Sequence, residues 1–279
     1  MGDTAPQDRL TRVGFDFDVC VIGTGRVGLP LALSLLDVGF RVVGLDRDPA
    51  VREAVGAGRM PWSEAGYDEL VARKELTVGD DPSIASRARF IVVTVGTPLH
   101  WHVESDLGQV QAVLESIAPH LRAGQMVVLR STVSPGTTDF VARWLARYTD
   151  LHVGTELMLA FCPERIAEGQ AREELTDLPQ VVGADDPTSH LMGEELFGRL
   201  APKVLHTDPI SAELVKLFTN MVRYVNFAVA NQLTLVAERF GANIYDIREM
   251  ANLDYPREHI PRPGLTAGSC LRKDFGMLS

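Results

Sequence analysis

Over its first 207 positions the chain alternates short apolar runs with longer segments whose apolar residues recur every three or four positions. The first run, Phe15 to Ile22, begins as an alternation and ends fully apolar, which predicts a strand buried at its C-terminal end. Leu29 to Leu36 predicts an apolar helix closed by Gly39, and Arg41 to Asp46 predicts a second strand. Further strands are predicted at Arg89–Val95, Gln125–Arg130, Leu157–Cys162, Gln180–Gly183 and Lys203–His206. Helices are predicted at Asp48–Gly58, Tyr67–Lys74, Leu107–Ala118, from Thr137 onward, and at about Pro187–Leu200. This βα rhythm predicts an α/β fold built on a doubly wound, Rossmann-like parallel sheet.

The period then changes. Pro209 to Phe240 holds no glycine and no further proline, and Ile210, Leu214, Leu217, Phe218, Met221, Val225, Ala228, Val229 and Val236 recur at helical spacing. One helix of roughly 30 residues follows, longer than most globular helices and long enough to bridge domains or form a dimer seam. With a short helix at Ile244–Leu253 it predicts a mainly helical second domain. The expected division is residues 1–207 and 208–279.

Composition narrows the classes. With 279 residues, 46% apolar and 23% charged, the chain can bury the core of a soluble globular protein. A net charge of −10 argues against nucleic acid or an anionic membrane as partner. Met1 to Thr11 lacks the apolar core of a signal peptide, and no apolar run reaches the roughly 20 residues that span a bilayer. Cytoplasmic is the default location. Cys20, Cys162 and Cys270 are far apart without a CxxC pair, and the histidines are scattered, so no disulfide scaffold or metal site is expected.

The candidate chemistry begins between the first two strands. Gly23-Thr-Gly25-Arg26-Val27-Gly28 follows one strand, opens an apolar helix and leads to a second strand ending in Asp46. That is the dinucleotide fingerprint in its βαβ context: a tight turn, a close backbone approach to the pyrophosphate, close helix packing, and an acid for the ribose hydroxyls. A glycine-bearing βα turn without a ligand is the bland alternative. Asp46 would repel a 2′-phosphate, which favours NAD over NADP, and Arg47 weakens that preference slightly. Two later strands end in hydroxyl-bearing turns, Gly96-Thr97-Pro98 and Ser131-Thr132, where an open α/β sheet binds its ligands. A hydroxyl there could equally be only a cap, and for Ser131 the cap is the preferred reading. Lys216 and Asn220 lie one helical turn apart on the long helix, although spacing alone reads Lys216 as solvated. Cys270 sits in a turn-rich segment, Pro263 to Asp274, with Gly264 and Gly268 before it and Lys273 and Asp274 after it. A nearby cation lowers a thiol's pKa and favours the nucleophilic thiolate.

Taken together, Gly23–Gly28, Val95–Pro98, Ser131-Thr132, Cys162-Pro-Glu-Arg165, Glu213–Asn220 and Gly268–Asp274 resemble, in order, the motifs of the UDP-glucose/UDP-N-acetylmannosamine 6-dehydrogenase family. The resemblance runs from about Asp16 to Leu278. It implies an NAD-dependent enzyme that oxidises a sugar 6-hydroxyl twice, to a carboxylate. Cys270 is then the nucleophile that captures the aldehyde as a thiohemiacetal and becomes a thioester, and Lys216 and Asn220 stabilise the oxyanion. Asp274 with Thr132 holds water or shuttles protons, and Glu164 assists hydrolysis. Glu164, Arg165, Glu168, Lys216, Asn220 and Gly268 border the substrate. Arg26, Val27, Arg47, Thr97, Pro98, Ser131, Thr132 and Lys273 join the glycines and Asp46 around NAD. The length of the 209–240 helix leads to the expectation of a homodimer through it, and the resemblance implies products destined for surface polysaccharides.

The chain departs from that family in two respects. Leu265 and Ala267 replace glycines before the cysteine, and Arg272 replaces a proline. The family also carries a further C-terminal nucleotide-sugar domain, and this sequence ends at Ser279. Three readings stay open: a fragment of a longer enzyme, complementation by another chain, or an NAD-binding and dimerisation module without turnover. Cys162-Pro-Glu-Arg165 resembles the N-acetylhexosamine branch, so UDP-N-acetylmannosamine is the expected substrate and UDP-glucose the alternative. A two-domain hydroxyacid dehydrogenase is a weaker competitor that makes no demand on Cys270.

Overall fold

The computed structural model describes residues 14–97, 107–167, 169–257, 259–264 and 277. One eight-stranded sheet carries the fold, with strands β1 (Phe17–Ile22), β2 (Val42–Leu45), β3 (Thr77–Gly79), β4 (Ala88–Val93), β5 (Gln125–Leu129), β6 (Leu157–Phe161), β7 (Gln180–Gly183) and β8 (Val204–Thr207). Their spatial order is β3-β2-β1-β4-β5-β6-β7-β8. The helices are α1 (Gly28–Asp37), α2 (Pro49–Gly56), α3 (Asp68–Ala72), α4 (Gly108–Ile117), α5 (Thr137–Tyr148), α6 (Ala171–Asp177), α7 (Pro187–Phe197), α8 (Pro209–Arg239) and α9 (Ile244–Asn252).

The period of two along each strand divides the core into two layers. Val19, Val21, Phe90, Val92, Met126 and Val128 pack on one side with Leu29, Leu31, Leu33, Leu35 and Phe197. Cys20, Ile22, Ile91, Val93, Val127 and Leu129 pack on the other with Val110, Leu114, Ile117, Val141 and Leu145. Each fully buried leucine of α1 contributes about 1.5–3 kcal/mol relative to an exposed one. The near-continuous apolar strands are those of a sheet covered on both faces.

The sheet is parallel from β3 through β6. β7 then runs antiparallel to β6, with Phe161 opposite Gly183, and β8 is parallel to β7. The expected parallel order therefore holds for six strands and reverses for the last two. An antiparallel neighbour needs no crossover, and the chain that leaves β6 is tied down by the contacts of Glu164 and Arg165 described below. Two elements fall outside the hydrophobic pattern. β3 has three residues with one apolar side chain, and α6 buries only Ala171 and Leu175 of its seven residues.

α8 spans about 46 Å at 1.5 Å per residue. Asp208 caps it, accepting the Ser211 N–H at 2.8 Å, and proline fills its first turn. Its N-terminal turns pack against β6, β7 and α5. Beyond Leu217 most of its side chains are exposed.

Candidate cofactor and catalytic site

The carboxyl ends of β1, β2 and β4 border a cleft of about 360 Å³ that also takes side chains from α4. Gly23 turns the chain out of β1 with φ +88°, and a Cβ there would press on the Val95 backbone at 3.1 Å. At Gly28 a Cβ would sit 2.1 Å from the Gly23 carbonyl, so only glycine lets α1 start this close to β1. Gly25 lines the cleft, and a Cβ on it would meet no protein atom within 4 Å. The first and third glycines thus answer to the protein, and the middle one faces the space a dinucleotide's phosphates would take. The residues present fit NAD.

Asp46 closes the other wall. Its carboxylate accepts the Thr24 hydroxyl at 3.0 Å and the Asp48 N–H at 2.9 Å, which leaves further lone pairs for ribose hydroxyls. Arg47 is exposed on the same wall. The Arg26 guanidinium lies 5.7 Å from the centre of the Trp62 ring, and Val27 is half-buried beside it.

The two hydroxyl-bearing turns are stitched together. Ser131 donates to the Val95 carbonyl at 2.6 Å, and Thr97 donates to the Thr132 carbonyl. Ser131 and Thr97 therefore fix one strand-end loop to the other, close to the capping alternative for Ser131. Thr132 is half-buried in that joined edge.

Glu164 is buried and saturated. One oxygen accepts Arg130 Nε at 2.7 Å and Nη2 at 2.6 Å, and the other accepts the Arg165 and Ile166 N–H groups at 2.7 and 2.9 Å. Arg130 has no exposed surface. Its remaining donors reach Gln180 Oε1 and the Cys162 carbonyl, and its guanidinium stacks 5.0 Å from the Phe197 ring centre. The Arg165 guanidinium donates to the Pro179 carbonyl. Farther along, the buried Glu64 accepts the Gly169 N–H at 3.0 Å and the Ala171 N–H at 3.3 Å. The Cys162 thiol is pushed up to about 12 by burial, against the opposing charge of Arg130, which keeps it out of any nucleophilic role.

On α8, Lys216 and Asn220 are half-buried. Glu213, one turn before Lys216, is buried and accepts the N–H groups of Gly136 and Thr138 together with the Thr138 hydroxyl. This carboxylate sits on the N-terminus of α5, where the exposed peptide dipoles favour a negative charge. Asn231 grips Gly264 from both sides, its amide donating to the carbonyl at 2.7 Å and accepting the N–H at 3.0 Å. Asn252 grips Ile260 in the same reciprocal way. The segment that leads to Cys270 is thereby fastened at its root.

Pro98, Glu168, Gly268, Cys270, Lys273 and Asp274 lie outside the described residues. Arg130, Glu213, Glu64 and Asn231 are absent from the sequence reading as site residues. Two of them carried a signal: Arg130 as a charge at the end of an apolar strand, and Glu213 as the first residue of the Glu213–Asn220 motif. Among the described residues no group of three or more His, Cys, Asp or Glu side chains could hold a metal ion, and no helix is long and apolar enough to cross a membrane.

Comparison with known proteins bears on the same regions. Residues 17–201 match the family model described as the UDP-glucose/GDP-mannose dehydrogenase family, NAD binding domain, and residues 210–279 match the central domain of that family. The UDP-N-acetyl-D-mannosamine dehydrogenase of Pyrococcus horikoshii is 31% identical over 262 residues, covering 92% of this chain and 62% of the relative. The solved structure of that dehydrogenase superposes with a TM-score of 0.87 over 93% of this chain and 63% of its own. A UDP-glucose dehydrogenase from Pyrobaculum islandicum, 29% identical, gives a TM-score of 0.84 over 96% of this chain and 64% of its own. The chain thus spans less than two thirds of the length of these relatives.

Proposed function

The chain belongs to the UDP-glucose/GDP-mannose dehydrogenase family, and on that premise we propose that it is the NAD-binding and catalytic part of a UDP-sugar 6-dehydrogenase. Residues 1–207 form the cofactor domain and 208–279 the helical domain in this proposal. The observation that carries it is the docking of α8. Glu213 holds that helix on the N-terminus of α5, the helix that follows the Ser131-Thr132 turn, and Lys216 and Asn220 stand one and two turns farther along α8.

Gly23, Gly25, Arg26, Val27, Gly28, Asp46, Arg47 and Thr97 would hold NAD, with Pro98, Ser131, Thr132 and Lys273. Bound NAD would supply the hydride acceptor for both oxidations. The Cys270 thiolate adds to the carbon of the intermediate aldehyde and forms a thiohemiacetal. Oxidation of that adduct gives a thioester, and water then breaks the C–S bond to leave the carboxylate and the free thiol. A thiolate suits both halves, since it adds readily to an aldehyde and leaves readily from a thioester. Lys216 and Asn220 donate to the oxygen that carries negative charge, help worth a few kcal/mol per donor. Asp274 and Thr132 hold the water, and Glu164, Arg165, Glu168 and Gly268 border the sugar nucleotide.

UDP-N-acetylmannosamine is the favoured substrate, supported by Cys162-Pro-Glu-Arg165 and by the Pyrococcus horikoshii relative. UDP-glucose is the alternative, supported by the Pyrobaculum islandicum structure. A homodimer through α8 and a cytoplasmic location complete the proposal. The test is to supply the chain with NAD and each UDP-sugar and count NADH per sugar consumed. Two NADH per sugar, abolished by Cys270→Ala, is the expected result. Full two-step turnover by Cys270→Ala would overturn the covalent route. The exposed apolar face of α8 favours a second reading, a binding and dimerisation module without turnover. Calorimetric titration separates the two, because micromolar UDP-sugar binding by this chain excludes the module.

A further inference from the structure

The acidic end of the cofactor cleft holds two carboxylates rather than one. β2 and β3 run parallel with Leu45 opposite Gly79, and the Asp46 N–H donates to the Gly79 carbonyl at 2.8 Å. Asp46 and Asp80 therefore leave adjacent strand ends, which are about 4.8 Å apart in a sheet. Both line the cleft. Arg52, from α2, lies between them in a specific way. Its Nη1 donates to the main-chain carbonyl of Asp46 at 2.9 Å, while its Nη2 pairs with the Asp80 carboxylate at 2.9 Å. The guanidinium is spent on Asp80 and on a backbone oxygen. Among the described residues the Asp46 carboxylate accepts the Thr24 hydroxyl and the Asp48 N–H.

A ribose 2′-hydroxyl can donate to such a carboxylate. A 2′-phosphate has no proton to give at neutral pH, carries about two negative charges, and needs a cation. At the ribose end the cations are Arg47, on the cleft wall, and Arg52, paired with Asp80. We propose that Asp80 is a specificity-determining residue for the dinucleotide: it adds a second negative charge to the ribose end and keeps Arg52 from serving a 2′-phosphate. The choice of NAD over NADP is then shared between Asp46 and an Asp80–Arg52 pair that makes no demand on the fingerprint. This rests on the reading of the cleft as a dinucleotide site.

The test titrates NADH and NADPH onto the chain itself, by calorimetry, and reads the ratio of the two dissociation constants. The unaltered chain is expected to bind NADH and to disfavour NADPH. Asp80→Asn removes one charge and frees Arg52, so the preference for NADH should fall by roughly tenfold or more, as expected for relief of a like-charge contact. Arg52→Met should move the ratio the opposite way, because Asp80 then stands unneutralised. The Asp80 side chain is 66% exposed, so Asp80→Asn leaves the fold intact, and a melting curve confirms it. An unchanged ratio in Asp80→Asn, or a shift of both variants in the same direction, overturns the inference. If the unaltered chain binds neither dinucleotide, the cofactor reading falls and takes the inference with it.

Discussion

Glu213 on α8 reaches across 75 residues of sequence to Thr138 on α5, accepting its N–H at 2.8 Å and its hydroxyl at 2.6 Å through a single oxygen. The second oxygen takes the Gly136 N–H at 2.6 Å. A 31-residue helix with most of its length exposed is thus tied to the sheet by one buried carboxylate beside the packing of its first turns.

Removing that carboxylate should be costly. Glu213→Ala leaves three donors at a buried helix N-terminus without their acceptor, a loss of about 1–3 kcal/mol. Glu213→Gln keeps an oxygen but gives up the charge that the helix end favours, and should lose less. Urea unfolding of the two variants gives the comparison. Equal stability of Glu213→Ala and the unaltered chain would mean that α8 is held by its apolar contacts alone.

Arg130 and Glu164 form the second long-range tie. The Arg130 side chain has no exposed surface and that of Glu164 only 9%, so removing one partner strands a charge in the core. Glu164→Ala or Arg130→Ala should cost about 3–5 kcal/mol. The double variant Arg130→Met with Glu164→Leu should recover much of that, because an apolar pair of similar volume needs no desolvation of charge. A double-mutant cycle of Arg130→Met, Glu164→Leu and the two together, again by urea unfolding, measures the coupling. Additive losses would show that the pair does not act as a unit.

These ties explain what the sequence makes legible and what it hides. The fingerprint turn is local: Gly23, Gly28 and Asp46 can be read because strand, turn and helix follow one another within thirty residues. The strands announce themselves through unbroken apolar runs, and α8 through its period and length. β3 and α6 do not, because each buries two apolar side chains at most. The residues that hold the site in shape are hidden for another reason. Glu164 meets Arg130 across 34 positions, and Glu64 meets Gly169 across 105. No periodicity links such partners, since only the folded sheet brings them together. The reversal of β7 is hidden likewise: nothing in Gln180–Gly183 itself states the direction in which it pairs.

The exposed face of α8 makes a prediction about assembly. Phe218, Val222, Val225, Val229, Val236 and Phe240 follow one another at intervals of four, three, four, seven and four, and they are 45% to 84% exposed. That spacing lays them along one stripe. A contiguous apolar stripe of this length marks an interaction surface. In the proposed homodimer a second α8 covers it. Val225→Asp with Val229→Asp should convert the dimer to monomer, read by light scattering coupled to size exclusion. A monomeric unaltered chain at micromolar concentration would refute the seam.

The cysteines and one tyrosine set an alkaline limit on the fold. Burial pushes the Cys20 and Cys162 thiols up to about 12, with Arg130 opposing the shift at Cys162, and burial likewise pushes the Tyr67 phenol, hydrogen-bonded to Ser34, up to about 12. Unfolded thiols ionise near 8.5 and phenols near 10. The folded state holds these protons more tightly, so their contribution is complete below about pH 8.5 and is lost as pH rises toward 12. Urea midpoints measured from pH 7 to 11 should be flat at first and then fall, and Cys162→Ala should lessen the fall between about pH 8.5 and 10. The same burial predicts thiol chemistry at neutral pH. Iodoacetamide should label native chain at Cys270 alone and the urea-unfolded chain at all three cysteines. Peptide mapping identifies the labelled residue. Labelling of Cys20 or Cys162 in the native chain at rates like those of the unfolded chain would contradict their burial, and an unlabelled Cys270 would contradict its assignment as nucleophile.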